Sequence, residues 1–214
     1  SSRIGDVYGI PSGVLPPSLD PEEFPSESPS SEAPPLIGIE GPYVVTIGRA
    51  SWVKGTWETI SMLTDSGLSL ALVGGGEEES IDSLIEHAKS SKVGIWVAPR
   101  LESTELCSLI RGAVAVVSMA HSEPFGLTPI EAQSLGTPAL FVDEGGFRET
   151  ITDGVSGRLL PRDDYSAWHA ALEEAQDTHN RSLWSENGRA SISKMGLNPE
   201  VFSTRLEEIF LNLE

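Results

Sequence analysis

The chain has 214 residues, room for one sizeable α/β domain plus a tail. Asp and Glu number 32 against 14 Lys and Arg, a formal charge of −18, which argues against nucleic acid as a partner because affinity for it needs a basic footprint. One cysteine, Cys107, rules out an internal disulfide framework and an all-cysteine zinc site, and no run is apolar enough for long enough to cross a bilayer.

Residues 1–41 differ in texture from the rest. Ser1-Ser2-Arg3-Ile4 reads as a cut inside a longer protein, and no secretory signal opens it, so the expected setting is the cytoplasm. Seven prolines between Pro16 and Pro35 alternate with Ser, Glu and Gly, a composition that cannot bury enough apolar surface for a core. This segment is expected to be a mobile linker, with only Ile10–Leu15 suited to docking.

From residue 42 to 214 the pattern predicts a folded domain. Short β-branched runs alternate with helical patterns: Tyr43–Ile47 and a helix near Lys54–Leu63, Leu68–Val73 and Glu78–Lys89, Val93–Val97 and Ser103–Arg111. Ala113–Val117 then leads to Thr128–Leu135, and Ala139–Val142 to Phe147–Asp153. The strands are apolar along their whole length, as strands covered on both faces are. Five successive β-α units predict a Rossmann-like, doubly wound parallel sheet. Beyond Pro161 the periodicity is helical, near Asp164–Gln176, Arg181–Met195 and Pro199–Leu211. The last of these carries an apolar face of Val201, Phe202, Leu206, Ile209, Phe210 and Leu213.

Ligands of such sheets bind beyond the carboxyl ends of the strands. Those ends are Gly48-Arg49, Gly74-Gly75-Gly76, Ala98-Pro99-Arg100, Ser118 to Gly126 and Asp143 to Gly146. In the first, Arg49 and Lys54 are spaced to converge on a diphosphate; the alternative is two solvated surface cations. In the fourth, Glu123-Pro124-Phe125-Gly126-Leu127 runs into a helix whose free N–H groups favour an anion. Glu131 follows about a turn later, a separation suited to two ends of one extended ligand. Thr128-Pro129-Ile130-Glu131 equally reads as a capping box, with Glu131 tying down backbone, and Glu123 equally reads as a solvated loop residue. His87, His121, His169 and His179 show no metal-ligand spacing, and His121 reads as solvated. A nicotinamide oxidoreductase fits poorly, since the first β-α turn lacks Gly-x-Gly-x-x-Gly.

Taken in order, these segments resemble the C-terminal domains of glycosyltransferase family four, of GT-B type. The family's Glu, seven residues, Glu signature corresponds to Glu123, Phe125, Gly126 and Glu131. Gly48-Arg49…Lys54-Gly55, Leu72-Val73-Gly74-Gly75-Gly76, Glu105-Leu106…Leu109, Gly136-Thr137-Pro138, Gly145-Gly146-Phe147-Arg148-Glu149 and Asp153-Gly154…Gly157-Arg158-Leu159-Leu160 match in turn. Ile10-Pro11-Ser12-Gly13-Val14 is similar to the family's interdomain connector. Departures are few: Gly112-Ala113 for Ala-Asp, Ser118-Met119-Ala120-His121-Ser122 before the first Glu, and Gln133 for Met.

The resemblance implies retaining transfer of a hexose-type sugar from a nucleotide-diphosphate sugar, without metal or other cofactor, to an acceptor bound by an N-terminal domain outside this chain. Any membrane contact would be made through that domain. It implies that Arg49 and Lys54 hold the diphosphate and that Glu123 hydrogen-bonds a sugar hydroxyl, these three being the catalytic set. Gly48, Gly74, Gly75, Phe125, Gly126 and Leu127 would line the donor site. Glu131 would accept from the ribose, with the base against Val97, Ala98 and Arg100. A non-catalytic nucleotide-sugar binding module of the same fold is the alternative. The acidic, lysine-poor composition also suits a high-salt cytoplasm, where salt screens excess charge; an ordinary acidic protein would look the same.

Overall fold

The strands form where the sequence is apolar without alternation, because both of their faces are covered. The computed structural model describes residues 7–9, 14–20, 22–25, 36 and 38–211. Strands β1 (Tyr43–Ile47), β2 (Ser69–Val73), β3 (Ile95–Ala98), β4 (Val116–Ser118), β5 (Ala139–Val142) and β6 (Arg158–Leu160) make one sheet, ordered β3-β2-β1-β4-β5-β6. Every pairing is parallel. β2, β4 and β5 are buried at every position. The expected Rossmann-like doubly wound sheet is therefore the observed one, with β6 as a sixth strand that periodicity missed because only three residues pair.

The helices are α1 (Thr56–Leu63), α2 (Glu78–Ser90), α3 (Ser103–Gly112), α4 (Leu127–Ser134), α5 (Phe147–Thr150), α6 (Tyr165–Gln176), α7 (Thr178–Met195) and α8 (Pro199–Leu211). α1 packs on α2 and α6, and α4 packs on α5 and α7. Lys54 does not open α1 as expected. It ends a 3₁₀ turn, Trp52–Lys54, before Gly55 starts the helix.

The chain walks from β1 out to β3, then returns to place β4 on the other side of β1. Loops leaving β1 and β4 consequently diverge from neighbouring strands, and that seam is where a ligand crevice opens in this sheet class.

The linker expectation for 1–41 needs correction in part. Phe24 is buried against the core, and Leu19 N–H donates to Leu197 O at 3.0 Å. Residues 22–25 lie along α3: Cys107 Sγ donates to Glu23 O and Ser103 Oγ to Glu23 Oε1, both at 3.3 Å, and Arg111 donates to Pro25 O. One aromatic ring with backbone acceptors suffices to dock a Pro-rich stretch. Ile10–Gly13, Pro21 and 26–35 lie outside the described residues, as does Leu213.

Candidate functional site

Two loops meet at the seam. The β1–α1 loop carries Gly48 to Gly55, and the β4–α4 loop carries Met119 to Gly126. They are tied by His121 N–H donating to Val53 O at 2.8 Å. Across them Lys54 Nζ lies 3.2 Å from Glu123 Oε2, a partly buried ion pair. The contact leaves neither side chain free of a partner. The Arg49 guanidinium stands exposed on the same loop and has no partner among the described residues.

Glu123 is held from below. Gly146 N–H donates to Glu123 O at 2.7 Å. A Cβ on Gly146 would strike the Phe125 backbone and reach 2.5 Å from Pro124 O, so this position needs glycine for close approach. Arg162 props the start of the same loop. It donates to Met119 O (2.6 Å) and Ala120 O (3.3 Å) while its Nε and Nη2 grip Glu144 at 2.9 and 2.7 Å. The hydrogen bond from Arg162 holds the Glu144 carboxyl below the usual carboxylate range. Nothing in the local sequence around Pro161-Arg162 signals that role, since its partners are 18 to 43 residues away.

α4 begins at Leu127, with Gly126 as its N-cap at φ 87°, a left-handed conformation suited to glycine. The capping-box reading of Thr128 and Glu131 is therefore corrected: Glu131 sits past the first turn, and no side chain caps this helix. The N–H groups of Phe125, Gly126 and Leu127 have no backbone acceptor among the described residues, as expected at a helix start. They stand ready for an anion.

Glu131 is partly buried, and its carboxyl, unlike its backbone oxygen, accepts no hydrogen bond from the described residues. Burial, with a smaller push from the Glu23 carboxylate, raises its carboxyl to about 7. A buried ionisable group without a protein partner is a ligand-site candidate.

The remaining expected residues border the seam. Gly74 and Gly75 both turn their N–H groups to Ala98 O, at 2.9 and 3.2 Å, so their amides are engaged and what they offer is a low profile. Val97 and Ala98 end β3, and Arg100 is exposed just beyond it. Among the described residues no group of three or more His, Cys, Asp or Glu is placed to hold a metal ion, and no helix is long and apolar enough to cross a membrane.

His121 is not the solvated loop residue expected. Its Nε2–H donates to Glu58 Oε1 at 2.9 Å, and its ring stacks on Trp52 with centroids 4.3 Å apart. Sequence spacing could not find this pair, because Glu58 is 63 residues away.

The comparisons with known proteins agree with the fold. The chain is 30% identical over 175 residues to the D-inositol 3-phosphate glycosyltransferase of Frankia alni, covering 75% of this chain and 43% of that protein. The sucrose-phosphate synthase of Thermosynechococcus elongatus superposes with a TM-score of 0.81 at 21% identity, over 99% of this chain and 56% of that one. An Anabaena protein crystallised in complex with UDP-glucose superposes with a TM-score of 0.74 at 18% identity, over 91% of this chain and 55% of that one. The fold is thus that of the C-terminal half of GT-B glycosyltransferases, and the chain spans about half or less of the length of the relatives it matches. Residues 30–191 match the family model described as glycosyl transferases group 1, and the chain belongs to that family.

Proposed function

We propose that this chain is the donor-binding half of a retaining hexosyltransferase that takes a sugar from a nucleotide diphosphate, its acceptor being held by an N-terminal domain outside the chain. The observation that carries the reading is the Lys54–Glu123 contact of 3.2 Å at the β1/β4 seam, beside the free N–H groups that open α4. A cation next to a carboxylate suits the junction of a glycosyl diphosphate, where anionic phosphate meets sugar hydroxyls. The UDP-glucose in the Anabaena neighbour is a ligand of that chemistry.

In this reading Arg49 and Lys54 bind the diphosphate and balance the charge that grows on its oxygen as the bond to the anomeric carbon breaks. The α4 amides of Phe125, Gly126 and Leu127 add fixed positive ends to the same task. Glu123 accepts from a sugar hydroxyl and orients the ring. Glu131 accepts from the ribose, and the base rests against Val97, Ala98 and Arg100. Gly48, Gly74 and Gly75 leave room for the diphosphate. These residues supply the charge stabilisation themselves, so the reaction is expected to run without a metal or other cofactor.

Calorimetry of the chain against UDP-, GDP- and ADP-sugars tests this. Saturable binding of at least one is expected, weakened about tenfold or more by Lys54→Ala, with no sugar transfer to simple acceptors by this chain alone. Absence of binding to all three would overturn the donor reading. Turnover by the isolated chain would overturn the division of labour between two domains.

A further inference from the structure

A second concavity is shared by the β1–α1 loop, α1 and α2, and none of the proposed donor-site residues lines it. It is about 250 Å³ in volume, walled by Trp52 and Trp57 and edged by Ser51, Ser80 and Ser83. Ligand clefts usually run from about 300 to 1,000 Å³, so this one suits one or two sugar rings rather than a whole nucleotide.

Its two indoles are unusual in being exposed, 70% for Trp52 and 47% for Trp57, yet held in place. Each is backed by a histidine ring. Trp52 stacks on His121 (4.3 Å, 12°) and Trp57 on His87 (3.9 Å, 6°). Each histidine is anchored in turn, His121 to Glu58 at 2.9 Å and His87 to Ser61 Oγ at 2.8 Å. Here the cost of ordering them is met in advance, which is what a recognition surface needs.

The lining chemistry narrows the ligand. Indole faces attract the C–H faces of pyranose rings, and the serine hydroxyls offer donors and acceptors for ring hydroxyls. The adjoining α2 surface presents Glu78, Glu79, Asp82 and Glu86, which repels anions. We infer that Trp52 and Trp57 form a binding site for a neutral oligosaccharide, lined by residues other than those of the proposed donor set. The inference rests on these side chains alone and stands whether or not the donor reading holds.

Tryptophan fluorescence of the full chain tests it, since Trp168 and Trp184 are buried and Trp96 is half-buried in β3, leaving Trp52 and Trp57 as the exposed tryptophans, and a Trp96→Phe background removes the remaining signal from β3. The probes are maltohexaose, cellohexaose, mannohexaose and chitohexaose, with a hyaluronan hexasaccharide as the charged control. A saturable change with at least one neutral probe is expected, weakened at least tenfold by Trp57→Ala and by Ser80→Glu, with weaker binding of the hyaluronan probe. Ser80→Glu keeps the question open to measurement if Trp57→Ala melts early. No saturable change with any of the four neutral probes would overturn the site, as would undiminished binding by both variants. Tighter binding of the charged control would overturn the assignment to neutral ligands. Because no nucleotide is present, none of these results bears on the donor reading.

Discussion

Glu131 shows how a single carboxyl separates two explanations. As a cap its carboxyl would have bonded to backbone N–H groups; instead that carboxyl is partly buried without a partner among the described residues, and its proton is held up to about 7. The sign of the consequence is set by that elevation. A carboxyl whose folded value lies above its unfolded value of 4.5 leaves stability intact below about 4.5 and takes it away as pH rises through about 7. The full effect is on the order of 3 kcal/mol. Glu131→Gln should therefore raise the melting temperature more at pH 8 than at pH 5; an equal change at both would show that Glu131 is not strained by ionisation. In the donor reading the same charge serves the ribose. Glu131→Ala is expected to lower nucleoside diphosphate affinity about tenfold or more, and to erase discrimination against the 2′,3′-dideoxy analogue. Calorimetry on both ligands checks this, and unchanged discrimination would return Glu131 to a structural role. Thr128→Ala should alter stability little, because Gly126 and not Thr128 caps the helix.

At the scale of elements, glycines let loops touch. The β5–α5 turn supports the Glu123 loop through Gly146, whose missing side chain is filled by Phe125 and Pro124. Gly146→Ala should cost about 1–3 kcal/mol through overpacking, and should weaken donor binding as well, because the displaced loop carries Glu123 and the free amides. Thermal melts and calorimetry on this variant would sink the idea if both stayed at wild-type values. Such contacts mark the limit of what was legible in the sequence. Strand runs such as Ser69–Val73 declare themselves by unbroken apolar character, and helices such as α6 by their period. β6 is too short for either signal, and its pairing partners lie in β5. Lys54 and Glu123 each stood out in the sequence as candidates, but their contact, and the props supplied by Arg162 and His121, depend on chain crossings that spacing does not encode. Phe24 was hidden for a different reason: its Pro-rich surroundings carry no period, so one docking ring leaves no pattern.

For the molecule as a whole, the charge of −18 is spread over a surface whose few lysines include the one at the seam. Self-repulsion of this size destabilises a compact state, and salt screens it within about 8–10 Å at physiological strength. The melting temperature is expected to rise as potassium chloride goes from about 0.1 to 1 M, where the screening length falls to about 3 Å. A flat response in differential scanning calorimetry would mean that the acidic groups are already balanced locally, as Arg158 is between Asp153 and Glu174. α8 adds a second whole-molecule property. Val201, Phe202 and Leu206 are half-buried, while Ile209 and Phe210 remain exposed at 44% and 63%. The apolar face read from the sequence is therefore only partly covered by this chain.

The Lys54–Glu123 pair has a consequence for selectivity. With Lys54 already neutralised, a stray anion has less to gain from that cation. A free phosphate that captured Lys54 would strand the Glu123 carboxylate, and a free sugar that satisfied Glu123 would leave Lys54 no better off. Only a molecule that brings an anion and a hydroxyl together, at the spacing of a glycosyl phosphate, replaces both halves of the broken pair at once. In the donor reading the two side chains would thus act as a coincidence detector: each alone would admit little, and the pair would open for a ligand that presents both keys.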